Sequence, residues 1–117
     1  AIVNVSSTSA LPAKRDGGSP LYDVAKMAVL RLSTRLAFLK RENIRVNCIV
    51  PHWIAVPHIV QFVAGLSIDE KAKRGVPDRL IPVEEIADTV YRLATDAALA
   101  GVAMIWPDGR GPVPLEE

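Results

Sequence analysis

Arg45-Val46-Asn47-Cys48-Ile49-Val50-Pro51 settles the fold class. The run is short, rich in β-branched residues and stopped by a proline, so it reads as a strand. Its nearly continuous apolarity, in place of strict alternation, is the pattern of a strand whose two faces are both covered by helices in a parallel sheet. Immediately upstream, Ser19-Pro20 supplies a helix start, with serine as N-cap and proline in the first helical position. Leu21, Val24, Ala25, Ala28, Leu32, Leu36 and Leu39 then recur at spacings of three and four, which predicts one amphipathic helix over 20–41. Lys40 and Arg41 favour the C-terminal end of that helix. Further upstream, Ile2-Val3-Asn4-Val5 reads as a strand running out into Ser6-Ser7-Thr8-Ser9, and 13–20 is a loop by composition.

Downstream, 57–75 reads as a helix over 59–66 followed by a short turn rich in Lys and Asp. Pro82 opens a further helix with Ile86, Val90, Leu93 and Ala97 on one face, and Val102–Trp106 is a third strand stopped by Pro107-Asp108-Gly109. The tail 110–117, with Pro112 and Pro114, is expected to be loose. The order β-α-β-α-β with right-handed crossovers gives a parallel sheet of three strands in the α/β class.

Composition narrows the function classes. The 117 residues have the length of one domain, and an apolar share of 50% is incompatible with a disordered tail. Fourteen basic and thirteen acidic residues leave a net charge of +1, too little for a nucleic-acid or membrane-surface field. Cys48 is the only cysteine, which excludes an internal disulfide framework and fits a reducing, cytoplasmic setting. The most apolar window, 48–66, is broken by Pro51 and Pro57 and carries His52, His58 and Gln61, so no membrane span is expected. The chain opens directly into a strand, and a sheet rarely starts at a domain's first residue, so a preceding portion is expected.

Tyr22 and Lys26 stand four residues apart at the start of the long helix and so project on one face, one turn apart. A tyrosine hydroxyl is ordinarily a poor base, and a nearby ammonium stabilises its phenolate, which brings proton exchange within reach. Such a pair arises by chance in roughly one chain in five of this length, so it gains weight only from its surroundings. Those are favourable: Ser7 lies at the carboxyl end of a predicted parallel strand, the edge at which open α/β sheets bind ligands.

In order and spacing, the chain resembles the C-terminal half of a classical short-chain dehydrogenase/reductase. The resemblance rests on Ile2-Val3-Asn4-Val5-Ser6-Ser7, Tyr22-Asp23-Val24-Ala25-Lys26, Ile44 to Pro51, Pro82-Val83-Glu84-Glu85-Ile86-Ala87 and the final strand with Asp108-Gly109. It implies half of a Rossmann-like, doubly wound sheet, a single partial domain over 1–117. It also implies an NAD(P)-dependent oxidoreductase that interconverts a carbonyl and an alcohol by hydride transfer. Ser7 would hydrogen-bond the substrate oxygen, Tyr22 would exchange a proton with it, and Lys26 would assist Tyr22 and hold the nicotinamide ribose. Pro51, His52, Ile54 and Val56 would line the nicotinamide, with Ile54 contacting the carboxamide through its backbone. The helix 20–41 resembles the one with which the family pairs subunits, implying a homo-oligomer.

The chain also departs from that pattern. His52 stands where the family has glycine, Val56 where it has threonine, and Asp108-Gly109-Arg110 where it has Asp-Gly-Gly. The glycine-rich phosphate loop, the residue that selects NAD or NADP and the family's catalytic asparagine are not in this sequence, and Gly17-Gly18 is no substitute. By itself the segment would therefore lack the dinucleotide-binding half, and the alternative reading is a non-catalytic remnant that serves as a packing or oligomerisation module. His52 and His58 have no carboxylate or thiol placed to complete a metal site, and Cys48 reads as a small core residue. Lys71, Lys73 and Arg74, balanced by Asp69 and Glu70, read as a solvated helix end. Trp53 reads equally as a pocket wall or as packing, and Ile59, Val60, Phe62 and Val63 imply that 57–80 covers an apolar part of a small-molecule substrate.

Overall fold

The computed structural model describes residues 1–12, 18–107 and 110–116. Strand β1 (Ile2–Val5) leads through a 3-10 turn at Thr8–Ala10 to helix α1 (Pro20–Arg35). Strand β2 (Val46–Val50) is followed by α2 (Pro57–Ala64), α3 (Ile68–Arg74) and α4 (Val83–Thr95), then by β3 (Ala103–Ile105) and β4 (Val113–Pro114). The sheet order is β1-β2-β3-β4. β1 runs parallel to β2, with Val5 opposite Ile49, and β2 runs parallel to β3, with Val50 opposite Ile105.

The α/β class holds, with one strand more than expected. β4 pairs antiparallel with β3, Ile105 lying opposite Val113. The tail is held because the Leu115 N–H donates to the Ala103 carbonyl at 2.7 Å and its side chain packs on the core. Pro112 and Pro114 disguise this as a loop, yet a proline is tolerated on an edge strand, where its missing N–H has no partner to lose.

All five residues of β2 are buried, the outcome its apolar run predicts. Alternate side chains enter two cores. Cys48 and Val50 join Ala10, Leu30 and Ala103 on the α1 side, while Ile49 joins Ile81, Leu93, Met104 and Trp106 on the α4 side. Asn47, fully buried, is the polar exception: its Oδ1 accepts from Val102 N and its Nδ2 donates to the Leu99 carbonyl, both at 2.9 Å. The Arg45 guanidinium donates to the carbonyls of Leu93, Ala94 and Asp96, which closes the C-terminal end of α4. That end carries partial negative charge, so a cation is favoured there.

α1 differs from its sequence-based expectation in two ways. Ser19 Oγ accepts from Tyr22 N as the cap and Pro20 opens the helix, but beyond Arg35 the chain tightens into 3-10 winding over Leu36–Glu42. Asn43, in the left-handed region at φ 58°, ends it by donating to the Lys40 carbonyl. The apolar stripe is also not the face that α1 lays on its own sheet. Leu30 and Ser33 are buried, whereas Leu21, Val24 and Leu32 are exposed. Among the described residues, no helix is long and apolar enough to cross a membrane.

Burial pushes the Cys48 thiol above its ordinary range, and a hydrogen bond with Ser33 only partly opposes this. The folded chain therefore keeps its proton at pH values where the unfolded chain has released it, so stability from this group is complete at neutral pH and falls as pH climbs past the free-thiol value near 8.5. Urea unfolding followed from pH 7.5 to 10 should show a decline of up to about 1.4 kcal/mol per pH unit in excess of the Cys48→Ala variant. Identical slopes in the two proteins would refute it.

Candidate functional site

The site lies where β1 and β2 end. Ser6 is buried and its hydroxyl donates to the Lys26 carbonyl at 2.7 Å, which pins the first turns of α1 against the end of β1. Lys26 Nζ donates in turn to the Val5 carbonyl at 3.1 Å and stands 5.5 Å from the centre of the Tyr22 ring. The ammonium is thus tethered to the strand end one helical turn from Tyr22. Ser7 turns out of the strand as the cap of the 3-10 turn, its Oγ accepting from Ser9 N at 3.2 Å, and the Thr8 N–H reaches the Pro51 carbonyl at 3.1 Å.

These elements form one wall of a cavity of about 890 Å³. Of the residues singled out from the sequence, Ser7, Tyr22, His52, Ile54 and Val56 line it. Lys26 and Pro51 do not line it: Lys26 stands beside the Tyr22 ring, and Pro51 is buried after β2. Gly18 and Ser19 also border the cavity; Gly17 and Asp108-Gly109 lie outside the described residues.

A single bridge holds the loop after β2. Ala55 N donates to the Ile81 carbonyl and Ile81 N to the Trp53 carbonyl, both at 2.8 Å, so Ile54 sits parallel to Ile81. In a parallel bridge the amide of the central residue points away from its partner. The Ile54 carbonyl accepts from Val56 N, whereas the Ile54 N–H has no acceptor among the described residues.

The rest of the lining brings two basic residues that the sequence did not assign to a pocket. Trp53 stacks on Phe62, with centroids 6.3 Å apart and planes within 6°. On α3, the Arg74 guanidinium lies 5.2 Å from the centroid of Phe62 on α2. Lys73, Arg74 and Ile59 line the cavity, so the basic end of α3 faces the same space as Ser7 and Tyr22 and not solvent alone. Trp53 likewise takes the pocket-wall alternative. The sequence anticipates part of this lining, in Trp53 and in Ile59 of the 57–80 cover, and misses Lys73 and Arg74.

Residues 1–104 match the family profile described as enoyl-(acyl carrier protein) reductase. The chain belongs to the short-chain dehydrogenase/reductase family. A short-chain dehydrogenase of Aspergillus ruber is 37% identical over 98 residues, covering 81% of this chain and 35% of the relative. The cis-4-hydroxycyclohexanecarboxylate dehydrogenase of Sinomonas cyclohexanicum is 37% identical over 102 residues, covering 84% of this chain and 39% of the relative. A 4-hydroxyisoleucine dehydrogenase variant, solved with NADH and succinate, superposes with a TM-score of 0.73 at 27% identity, over 92% of this chain and 45% of that one. The chain therefore spans between a third and two-fifths of the length of these two curated relatives.

Proposed function

We propose that the protein is an NAD(P)-dependent oxidoreductase interconverting a small-molecule alcohol and its carbonyl, with Ser7, Tyr22 and Lys26 as the catalytic set. The observation that carries this is the junction of β1 and α1, which presents Ser7 and Tyr22 to one cavity and tethers the Lys26 ammonium one turn from Tyr22. Relatives with dehydrogenase activity in their names, one solved with NADH, support it.

The chain's own residues fit the nicotinamide end of such a cofactor. The Ile54 N–H is a donor without an acceptor among the described residues, suited to a carboxamide oxygen, and Pro51, His52 and Val56 would form the bed beside it. Lys26 would hold the ribose hydroxyls. When bound, the nicotinamide supplies or accepts the hydride. In carbonyl reduction the Ser7 Oγ–H donates a hydrogen bond to the substrate oxygen, which concentrates negative charge there. Tyr22 gives its hydroxyl proton to that oxygen, and the Lys26 ammonium stabilises the phenolate left behind. In alcohol oxidation the same proton returns to Tyr22.

The exposed stripe of Leu21, Val24 and Leu32 on α1 supports pairing with a second copy, the homo-oligomer that the family resemblance implies. The reading is tested by titrating the intact protein with NADH and with NADPH and following cofactor fluorescence. Saturable enhancement with at least one is expected, and the tighter of the two identifies the working cofactor. Absence of binding to either would remove the reading.

A further inference from the structure

The cavity that Ser7 and Tyr22 line also carries cations. Lys73 and Arg74 both line it, and neither makes an ion pair among the described residues. Glu70, their lining neighbour, is occupied by its own helix: its Oε2 accepts from Ser67 N at 2.8 Å in a capping box. The other lining carboxylate, Asp23, belongs to the first turn of α1, next to Tyr22. The α3 side therefore brings two cations against the one Glu70 carboxylate, whereas the α1 side brings the Asp23 carboxylate alone.

Arg74 is also pre-positioned. Its guanidinium lies over the ring of Phe62, which also stacks on Trp53, so the two lining residues Arg74 and Trp53 share one aromatic support. A planar fork seated on an aromatic face loses less freedom when it engages a planar anion, and it matches a carboxylate in bidentate fashion. The lining also includes Trp53 and Ile59, surfaces for a carbon skeleton.

Resting on the oxidoreductase reading above, we propose that the substrate is a hydroxy acid and its oxo-acid counterpart. The reacting oxygen would sit at Ser7 and Tyr22, an apolar carbon frame along Trp53 and Ile59, and the carboxylate on Arg74 with Lys73 beside it. Oxidation moves a hydride from the carbinol carbon to the nicotinamide and the hydroxyl proton to Tyr22, while the carboxylate takes no part in the chemistry. Arg74 and Lys73 are thus specificity-determining residues.

The experiment uses the intact protein and matched pairs of substrates, hydroxy acids from 3-hydroxybutyrate to 7-hydroxyoctanoate against their methyl esters, with NAD and NADP. At least one acid should exceed its ester in kcat/KM by about tenfold or more, chiefly through KM. Arg74→Gln should collapse that ratio toward one, and Arg74→Lys should restore part of it; a merely structural role for Arg74 would lower acid and ester together and leave the ratio unmoved. Separately, hexanoate should quench tryptophan emission saturably in the wild type and not in Arg74→Gln, with hexanamide silent in both. Acids and esters turned over equally, with no Arg74-dependent hexanoate binding, would overturn the proposal while leaving the oxidoreductase reading standing. Arg74-dependent hexanoate binding with no turnover of any pair would overturn the hydroxy-acid substrate, while the NADH and NADPH titration decides the oxidoreductase reading separately.

Discussion

Tyr22→Phe is expected to lower turnover by about 10²- to 10⁴-fold, the range over which a positioned proton donor acts. The change removes one oxygen atom from a side chain that is 49% exposed and whose hydroxyl has no hydrogen bond among the described residues. Stability should therefore be nearly unchanged, and an unfolding midpoint close to wild type excludes misfolding as the cause. Lys26 would keep its bond to the Val5 carbonyl in the variant, since that contact does not pass through the phenol. The reading is strongest if nicotinamide binding survives while kcat falls, because that separates proton transfer from cofactor capture. Wild-type turnover in the variant would assign the proton to another group.

The largest effect on stability is expected at Gly101. Its φ of +71° lies in the left-handed region, and a Cβ there would stand 2.4 Å from Ala37 Cβ and 3.1 Å from the Thr34 carbonyl oxygen. The residue also donates its N–H to the Val46 carbonyl at 2.8 Å, so the backbone cannot swing away without breaking the entry to β2. Backbone strain and overpacking together should destabilise Gly101→Ala by about 2–4 kcal/mol, read as a shift in the urea midpoint. Gly18 separates the two causes, because at φ +93° it has nothing within 4 Å of the added carbon. Gly18→Ala should therefore cost only about 1–2 kcal/mol, the strain alone. Equal losses at the two positions would show that the contact with Ala37 yields freely.

What the sequence disclosed and what it hid divide along the range of the interaction. β2 was legible because burial on two faces leaves its mark on every residue of the run. The start of α1 was legible because capping is local: Ser19 and Pro20 are adjacent, and Tyr22 and Lys26 are one turn apart. The strip Leu21, Val24 and Leu32 gave the correct period and concealed which side meets the sheet, since periodicity fixes a face but not its neighbour. β4 was hidden by its two prolines, whose edge position only tertiary pairing reveals. The basic end of α3 was taken for a solvated terminus because its partner Phe62 lies twelve residues away and Trp53 twenty-one, on separate elements.

The two walls of the cavity are fastened to the molecule by different means. The Ser7 and Tyr22 side is bolted to the sheet by Ser6 and Lys26, whereas α2 and α3 bury no residue completely and hang between Ile54 and Ile81, which one bridge ties together. Amides of α3 should consequently exchange with solvent far sooner than those of β2, as a locally opening unit and not through global unfolding. On the proposed reading this would be a division of labour, with recognition by the loosely held α2–α3 side and chemistry insulated on the rigid side.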